Sequence, residues 1–298
     1  MQPLAAWLVA RPQNAVIALA AMLLLPIVQL FSGIFVAFLV LKQGVRLAGI
    51  EAVLAAALLT AGSLIVGTPV QSVFAGVLMF WVPAMLLAVT LQKTKSLTLT
   101  MQLLVLVFVG AAVVLFGVVG DLAEFAKPLS TLYLEILKAS GLHEQAEAMA
   151  ADPLGLAREL VQSTLWGYWM LCVLFMMMGY RLYRKIDGEF LNYGMFRDLD
   201  FGRVIAVAMI GTTIVAYATG LDWLKLVAVM MLAPFWLQGL ALLHWVYEAG
   251  KLPLFLLILI YILLVLPVLN EITIVGLAMF GYSDVWLHFR RRIARNEE

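Results

Sequence analysis

The residues best able to do chemistry are polar side chains that interrupt long apolar runs. His244 and Glu248 lie four positions apart, so on a helix they share one face. There they could hold a proton, a cation or a basic residue of a partner. Gln238 lies deeper in the same run and needs a hydrogen-bond partner or a ligand. The alternatives are an interfacial ion pair for His244 and Glu248, and a helix-to-helix hydrogen bond for Gln238.

Two further polar pairs lie where a long apolar run is interrupted. Gln29 and Ser32 lie in the first run, and Asn270 and Glu271 follow Pro267 in the last run. Broken helices in transporters expose backbone groups to a substrate cavity. The two regions could therefore frame one outward-facing ligand site, and a solvated turn is the alternative at both places.

No enzyme signature accompanies these residues. The sequence contains no P-loop, zinc-protease or serine-hydrolase motif, and its histidines are too scattered to suggest a metal cluster. The single cysteine, Cys172, lies in an apolar run, cannot form an intramolecular disulfide, and is predicted to be buried. We therefore predict a non-catalytic protein with no catalytic residues, no metal site and no cofactor.

The composition identifies the solvent that these residues face. The chain has 298 residues, of which 64% are hydrophobic and only 12% charged, with a mean hydropathy of +1.03. A soluble domain usually carries about 25% charged residues. We predict an all-α, polytopic integral membrane bundle whose main partner is the lipid bilayer. The net charge of +1 gives no basic excess that would favour nucleic acid.

The apolar runs predict about eight to nine transmembrane segments, since about 20 apolar residues cross the hydrocarbon layer. The clearest are Ala48–Val66, Val73–Leu91, Leu97–Val119, Val161–Tyr183, Arg203–Thr219 and Trp223–Tyr247. The first run, Asn14–Leu41, is either one kinked helix or, as we favour, two short segments meeting near Gln29. The last run is predicted to break after Leu269, giving the crossings Leu252–Leu269 and Ile272–Leu287.

Residues 120–160 depart from this pattern because their charges are mostly acidic and their apolar positions recur at helical spacing. That spacing predicts an amphipathic helix in the membrane interface, beginning at Asp121 and ending at Ser140-Gly141. Asp152 is predicted to cap the next helix, which opens with Pro153.

Basic residues predict the orientation of the chain, since short cytoplasmic loops collect lysine and arginine. They cluster in four places: a loop with Lys42 and Arg46, a loop with Lys93 and Lys95, the connector 184–202 with Arg197, and the C-terminal tail. We predict that all four are cytoplasmic. The insert 120–160 is then extracytoplasmic. We predict one membrane domain over 1–298, in a bacterial cytoplasmic (inner) membrane, with a cytoplasmic C-terminus.

Small residues predict where helices pack closely. They recur at four-residue spacing along two of the predicted spans. The two lines are Ala52 and Ala56 on one span, and Ala208, Thr212, Ala216 and Gly220 on the other. Each line could be a seam within the chain or a docking face for another membrane subunit.

Three short motifs carry a resemblance to a known family. They are Phe235-Trp236-Leu237-Gln238-Gly239-Leu240-Ala241, the ending Phe280-Gly281-Tyr282-Ser283-Asp284-Val285-Trp286-Leu287-His288-Phe289-Arg290, and Asp187-Gly188-Glu189-Phe190. The chain resembles the DUF2232 or YybS-like bacterial membrane proteins, whose layout is similar to the substrate-binding components of energy-coupling-factor transporters. The resemblance implies a small-molecule-binding bundle energised by separate ATPase subunits. The chain departs from that layout in having more spans and in lacking docking alanines on its first helix.

These observations favour a non-catalytic, small-molecule-binding or transport-related inner-membrane protein. The alternative is a membrane scaffold or regulatory protein that binds another membrane subunit and has no transported substrate.

Overall fold

A computed structural model describes residues 2–67, 69–119, 121–186 and 191–295, and over these residues the chain is all-helical, which confirms the all-α part of the predicted fold class. The helices are α1 Gln2–Ala10, α2 Pro12–Leu24, α3 Gln29–Gln43, α4 Val45–Val66, α5 Gln71–Gly76, α6 Val82–Thr94, α7 Leu97–Val118, α8 Leu122–Ala139, α9 His143–Ala150, α10 Pro153–Lys185, α11 Gly202–Thr219, α12 Asp222–Glu248, α13 Leu254–Val265, α14 Pro267–Leu287 and α15 Phe289–Arg295. The motif Asp187-Gly188-Glu189-Phe190 lies outside the described residues, as does residue 120 of the insert.

Six of the helical segments in the described ranges are long and apolar enough to cross a membrane. They are Val45–Val66, Gln71–Thr94, Leu97–Val118, Pro153–Lys185, Gly202–Thr219 and Trp223–Glu248. Each contains or closely matches one of the clear spans predicted from the sequence. The segment Gln71–Thr94 includes a π-helical turn, Val77–Trp81, just before Pro83, whose ring nitrogen carries no hydrogen for a helical hydrogen bond.

The two interrupted runs differ in how well their breaks were predicted. The first run is broken between α2 and α3, and α3 begins at Gln29, as predicted. The last run breaks at Leu266, so the prediction of a break at Asn270 and Glu271 is wrong. Pro267 explains the difference, because proline is well suited to the first position of a helix and here begins α14.

The insert has the helix start that its sequence predicts. The Asp121 side chain accepts hydrogen bonds from the backbone N–H groups of Ala123 (2.9 Å) and Glu124 (3.2 Å). Asp152 likewise accepts one from Gly155 at the start of α10. Along α8 the residues Phe125, Leu129, Leu132 and Ile136 recur at helical spacing, and all four are exposed. An exposed apolar stripe of this kind is what a helix in a membrane interface presents to lipid.

The chain forms two compact units, and the first consists of Met1–Thr100 and Met170–Phe196. Helix α3 is at its centre and packs against α2, α4 and α6. Every residue of α3 from Val36 to Leu41 is buried. The ring of Phe175, which is 0% exposed, lies directly against the backbone at Gly33, where a β-carbon would collide with it.

Near the end of the first unit, Tyr193 is hydrogen-bonded to both α10 and α7. The Tyr180 hydroxyl accepts a hydrogen bond from the Tyr193 backbone N–H (2.7 Å), and the Tyr193 carbonyl accepts one from Leu97 at the start of α7 (2.7 Å). Burial raises the pKa of the Tyr193 phenol, and the phenols of Tyr183 and Tyr180 raise it further. Tyr193 is therefore a neutral structural residue at about pH 7.

The second unit consists of Met101–Trp169 and Arg197–Glu298, and α12 is its core. Of the most apolar 18 consecutive residues of the α12 segment Trp223–Glu248, 83% are buried, against 17% for α11. Helices α12 and α14 pack backbone to backbone at two glycines. A β-carbon on Gly239 would collide with the carbonyl oxygen of Leu277, and one on Gly281 would collide with that of Phe235. Because neither glycine has a side chain, the two helix backbones lie in direct contact here.

The predicted small-residue lines are only partly used for packing. On α11, Ala216 is buried and Thr212 is half-buried, with its hydroxyl 3.6 Å from the Met231 sulfur. Ala208 is exposed, and Gly220 follows the helix as its left-handed C-terminal cap, so these two residues do not extend the packing of Ala216 within this unit; a docking face for another subunit stays a prediction. On α4, Ala52 is buried and Ala56 is half-buried, because the packed face runs through Ala48, Ala52, Ala55 and Leu59 instead.

Candidate functional site

A small open cavity lies in the second unit at the C-terminal end of α12. Its volume is about 260 Å³, and its lining residues are Arg197, Asp198, Trp245, Glu248 and Ala249. Trp245 and Glu248 lie in the last turn of α12, whereas Arg197 and Asp198 lie in a short 3₁₀ turn, Phe196–Asp198. The cavity therefore forms where a buried helix reaches the surface and meets the connector.

The cavity is lined by two acidic side chains and one basic side chain. Arg197 forms an ion pair with Glu248, and its Nε lies 3.9 Å from an Asp198 carboxylate oxygen. Two carboxylates thus face one guanidinium, and the carbonyl end of α12 adds further negative potential. Both partners of the ion pair are partly exposed, with side-chain exposures of 33% for Arg197 and 46% for Glu248. A solute from water could therefore reach both charges.

His244 and Glu248 share a helix face but use different partners, so the predicted His244–Glu248 pair does not form. Glu248 pairs with Arg197, which the sequence places far away. The His244 Nδ1 lies 2.8 Å from the Leu240 carbonyl oxygen, and its Nε2 lies 3.2 Å from the Tyr261 hydroxyl oxygen. A carbonyl can only accept, so Nδ1 carries a hydrogen, and Nε2 shares a hydrogen bond with the Tyr261 hydroxyl. Both ring nitrogens of His244 are thereby engaged.

Gln238 joins two parts of the second unit rather than facing the cavity. Its side chain is 0% exposed, and its Oε1 accepts a hydrogen bond from the Phe201 backbone N–H at 2.9 Å. Its Nε2 has no partner among the described residues. The predicted alternative was a hydrogen bond between two helices. The observed bond joins α12 to Phe201, which immediately precedes α11.

Three side chains hold that segment, residues 199–202. Besides Gln238, the amide of Gln102 on α7 donates to the Asp200 and Phe201 carbonyls, at 3.2 and 3.1 Å. The Arg290 guanidinium donates to the Leu199 carbonyl at 2.9 Å and lies 3.7 Å from the Asp284 carboxylate. The segment is therefore a fixed structural element, which explains why polar groups occur inside this apolar unit.

In the first unit, Ser32 is structural. Its side chain is 0% exposed, donates to the Gln29 carbonyl at 2.7 Å, and accepts from the Trp81 indole N–H at 3.0 Å. This pair connects α3 to the π-helical turn, so Ser32 has no remaining hydrogen to offer a ligand. Gln29 is half-buried at the first position of α3.

Asn270 and Glu271 lie on a regular helix. Both belong to the first turns of α14, where the Asn270 backbone N–H donates to the Leu266 carbonyl at 2.9 Å. Asn270 is half-buried and Glu271 is exposed. They therefore do not form the predicted turn, although the ligand-binding role assigned to them stays a prediction.

Two residues that the sequence did not identify as candidates are Arg197 and Glu51. Arg197 was grouped with the basic residues of the connector, and only the fold brings it to Glu248. Glu51 on α4 is a single carboxylate within an apolar helix and is 1% exposed. That position was a usable signal, because an ionisable residue at membrane depth is a functional candidate. Over the described residues, no group of three His, Cys, Asp or Glu lies together as a metal site would require.

Over the described residues, the chain is all-helical, has six candidate membrane-spanning helices and has a cavity with charged lining residues at the end of α12. No protein-family model, curated protein or solved structure matches it. The resemblance to DUF2232 or YybS-like proteins therefore stays a prediction. The residues that carry it have structural roles here: Gly239 and Gly281 make the helix seam, and Asp284 and Arg290 help to hold residues 199–202.

Proposed function

We propose that the protein is a non-catalytic multi-pass membrane protein that binds a small solute in the α12 cavity, as a transport component would. The observation that carries the proposal is the cavity itself, where Arg197, Asp198 and Glu248 converge beside Trp245. A partly exposed ion pair can open to offer each of its charges to a ligand. If the end of α12 had only a structural role, its charged side chains would not need to line a cavity.

The charges of the cavity favour a solute with a cationic group. Two carboxylates against one guanidinium leave one negative charge in excess, and the helix dipole adds to it. The Trp245 ring offers an aromatic face, and such faces attract ammonium groups. A small amine that replaces Arg197 beside Glu248 would therefore retain the ion pair and gain an aromatic contact.

A binding measurement on the full chain in detergent micelles tests this proposal. Butylamine and tetramethylammonium should raise the unfolding temperature, whereas butyrate should not. Glu248→Gln should weaken amine binding about tenfold, because a hydrogen bond to a charged group contributes about 1.5 kcal/mol. Glu144→Gln, an exposed residue of α9, is the matched control. Equal shifts with amine and butyrate, or no change in Glu248→Gln, would exclude this site.

The membrane arrangement forms part of the same proposal. Six helices can cross by length and composition. Eight crossings follow when the last apolar run crosses twice, once through the 12-residue α13 together with its flanking residues and once through α14. A ninth follows when the broken α2–α3 run crosses once. The basic connector and tail favour a cytoplasmic C-terminus in a bacterial inner membrane, with α8 outside. The α12 cavity would then open towards the cytoplasm.

A membrane scaffold is the second candidate, and a specific observation favours it. Much of the first unit's α4 is exposed, and β-carbons on Gly49 and Gly62 would meet nothing within 4 Å. Small residues on an outward face allow another helix to approach closely. Recovery of a stoichiometric membrane subunit, lost in a Gly62→Leu variant, together with no response to amines, would support this function over the first.

A further inference from the structure

Glu51 is a buried carboxyl group on a helix that is long and apolar enough to cross a membrane. Its side chain is 1% exposed. It lies about 9 Å along the axis from Val45, the first residue of α4. At that depth the apolar side chains around it, rather than water, determine which charge state is stable.

The partner of Glu51 is a neutral amide. The side chain of Gln43, the last residue of α3, donates a hydrogen bond to the Glu51 carboxyl. Gly44 alone joins α3 to α4, with a φ of +88° that suits glycine. A glutamine amide can donate to a carboxylate or, after rotation, accept from a carboxylic acid. The same partner therefore serves both protonation states of Glu51.

Among the described residues of α4 and the helices packed against it, no cation pairs with Glu51. Helices α2, α3 and α5 pack against α4; α2 and α5 carry no ionisable side chain, and α3 carries only Lys42 in its last turn. On α4 itself, the cation is Arg46, which is exposed. Within the described part of the chain, neither cation forms a salt bridge with Glu51.

An ionised carboxylate in this place would be unstable. Burying a charge without a paired opposite charge costs several kcal/mol. A metal cation would need several oxygen ligands, and among the described residues no group of three His, Cys, Asp or Glu lies together to supply them. The cation that one carboxyl and one amide can accommodate is a proton.

We propose that Glu51 is a proton-binding site of the first unit. Its carboxyl holds a proton at about pH 7 and exchanges it with water at the α3–α4 corner. On release, the O–H bond breaks, the proton passes to water, and the Gln43 amide donates to the carboxylate that remains. This site is separate from the α12 cavity, and its existence does not depend on solute binding there.

Labelling with dicyclohexylcarbodiimide tests the site in the full chain reconstituted in lipid nanodiscs. The reagent partitions into hydrocarbon and reacts with neutral carboxylic acids. The acid O–H adds across one C=N bond, and the product rearranges to a stable N-acylurea that mass spectrometry locates. We expect an adduct at Glu51 that declines as the pH is raised, remains in Glu51→Asp and is absent in Glu51→Gln.

Asp284 is the matched control, because it is also buried but lies 3.7 Å from Arg290. We expect labelling at Glu51 to exceed that at Asp284, because the Arg290 guanidinium beside Asp284 favours its unreactive carboxylate form. Equal labelling at the two residues, or no adduct at Glu51 in the folded wild type, would overturn the proposal. Protection by Na⁺ at constant pH would overturn it too, since it would identify a metal cation site.

Discussion

Gly239→Ala should destabilise the second unit, because α12 and α14 touch there backbone to backbone. The new β-carbon would collide with the Leu277 carbonyl oxygen and lie 3.2 Å from the Gly281 nitrogen. No side chain can rotate away, so the two helices must separate. Overpacking lowers the free energy of unfolding by about 1–3 kcal/mol. We expect a value near ~3 kcal/mol because the colliding atoms belong to the backbone. Because alanine stabilises a helix by about 1 kcal/mol relative to glycine, the net decrease in the free energy of unfolding should be about 2 kcal/mol.

Gly276→Ala is the control on the same helix pair. Gly276 also lies inside α14, but a β-carbon there would meet nothing within 4 Å. Only the helix propensity changes, so this variant should be neutral or about 1 kcal/mol more stable. The two variants should therefore differ by about 2–3 kcal/mol in free energy of unfolding.

Unfolding by SDS in mixed micelles, followed by tryptophan fluorescence, measures the free energy of unfolding for both variants. Gly281→Ala should behave like Gly239→Ala. The double variant should lose less than the sum of the two, because one separation of the helices relieves both collisions. Values for Gly239→Ala and Gly276→Ala that agree within about 0.5 kcal/mol would refute the seam.

Two further predictions concern hydrogen bonds. Ser32→Ala leaves the buried Trp81 indole N–H without its acceptor and should lower the free energy of unfolding by about 1–3 kcal/mol in the same assay, while an unchanged value would contradict the structural role of Ser32. Asp121→Ala removes the cap of α8 and should cost about 1 kcal/mol locally. Hydrogen exchange should accelerate in the first turn of α8 but not in α9, and equal protection in wild type and variant would count against the cap.

The helices were predictable because the signals that specify them are local. Hydropathy over about 20 residues located the long spans, and Asp121 and Asp152 each act within three residues of their own position. The break in the last run was misplaced because polarity at Asn270 and Glu271 was weighed above the helix-starting preference of Pro267. A helix readily carries polar residues in its first turns, whereas proline fixes where it begins.

The partners of the polar residues were not predictable, because they depend on which elements meet in space. The spacing correctly placed His244 and Glu248 on one helix face. Their observed partners lie on other elements: Tyr261 contacts His244, and Arg197 pairs with Glu248. Small-residue spacing failed for a related reason. It selected a regular line on α11, whereas the closest packing uses two glycines on different helices, each placed against the other's backbone.

Cysteine accessibility tests the central claim, that these helices cross a membrane, most directly. In a Cys172→Ala background, the only cysteine is placed at Ser140, just after α8, or at Lys93, near the end of α6; both sites are exposed. A membrane-impermeant maleimide should label the Ser140→Cys variant in intact spheroplasts, and the Lys93→Cys variant only after the membrane is permeabilised. Labelling of both in intact spheroplasts, or of neither until permeabilisation, would contradict the arrangement.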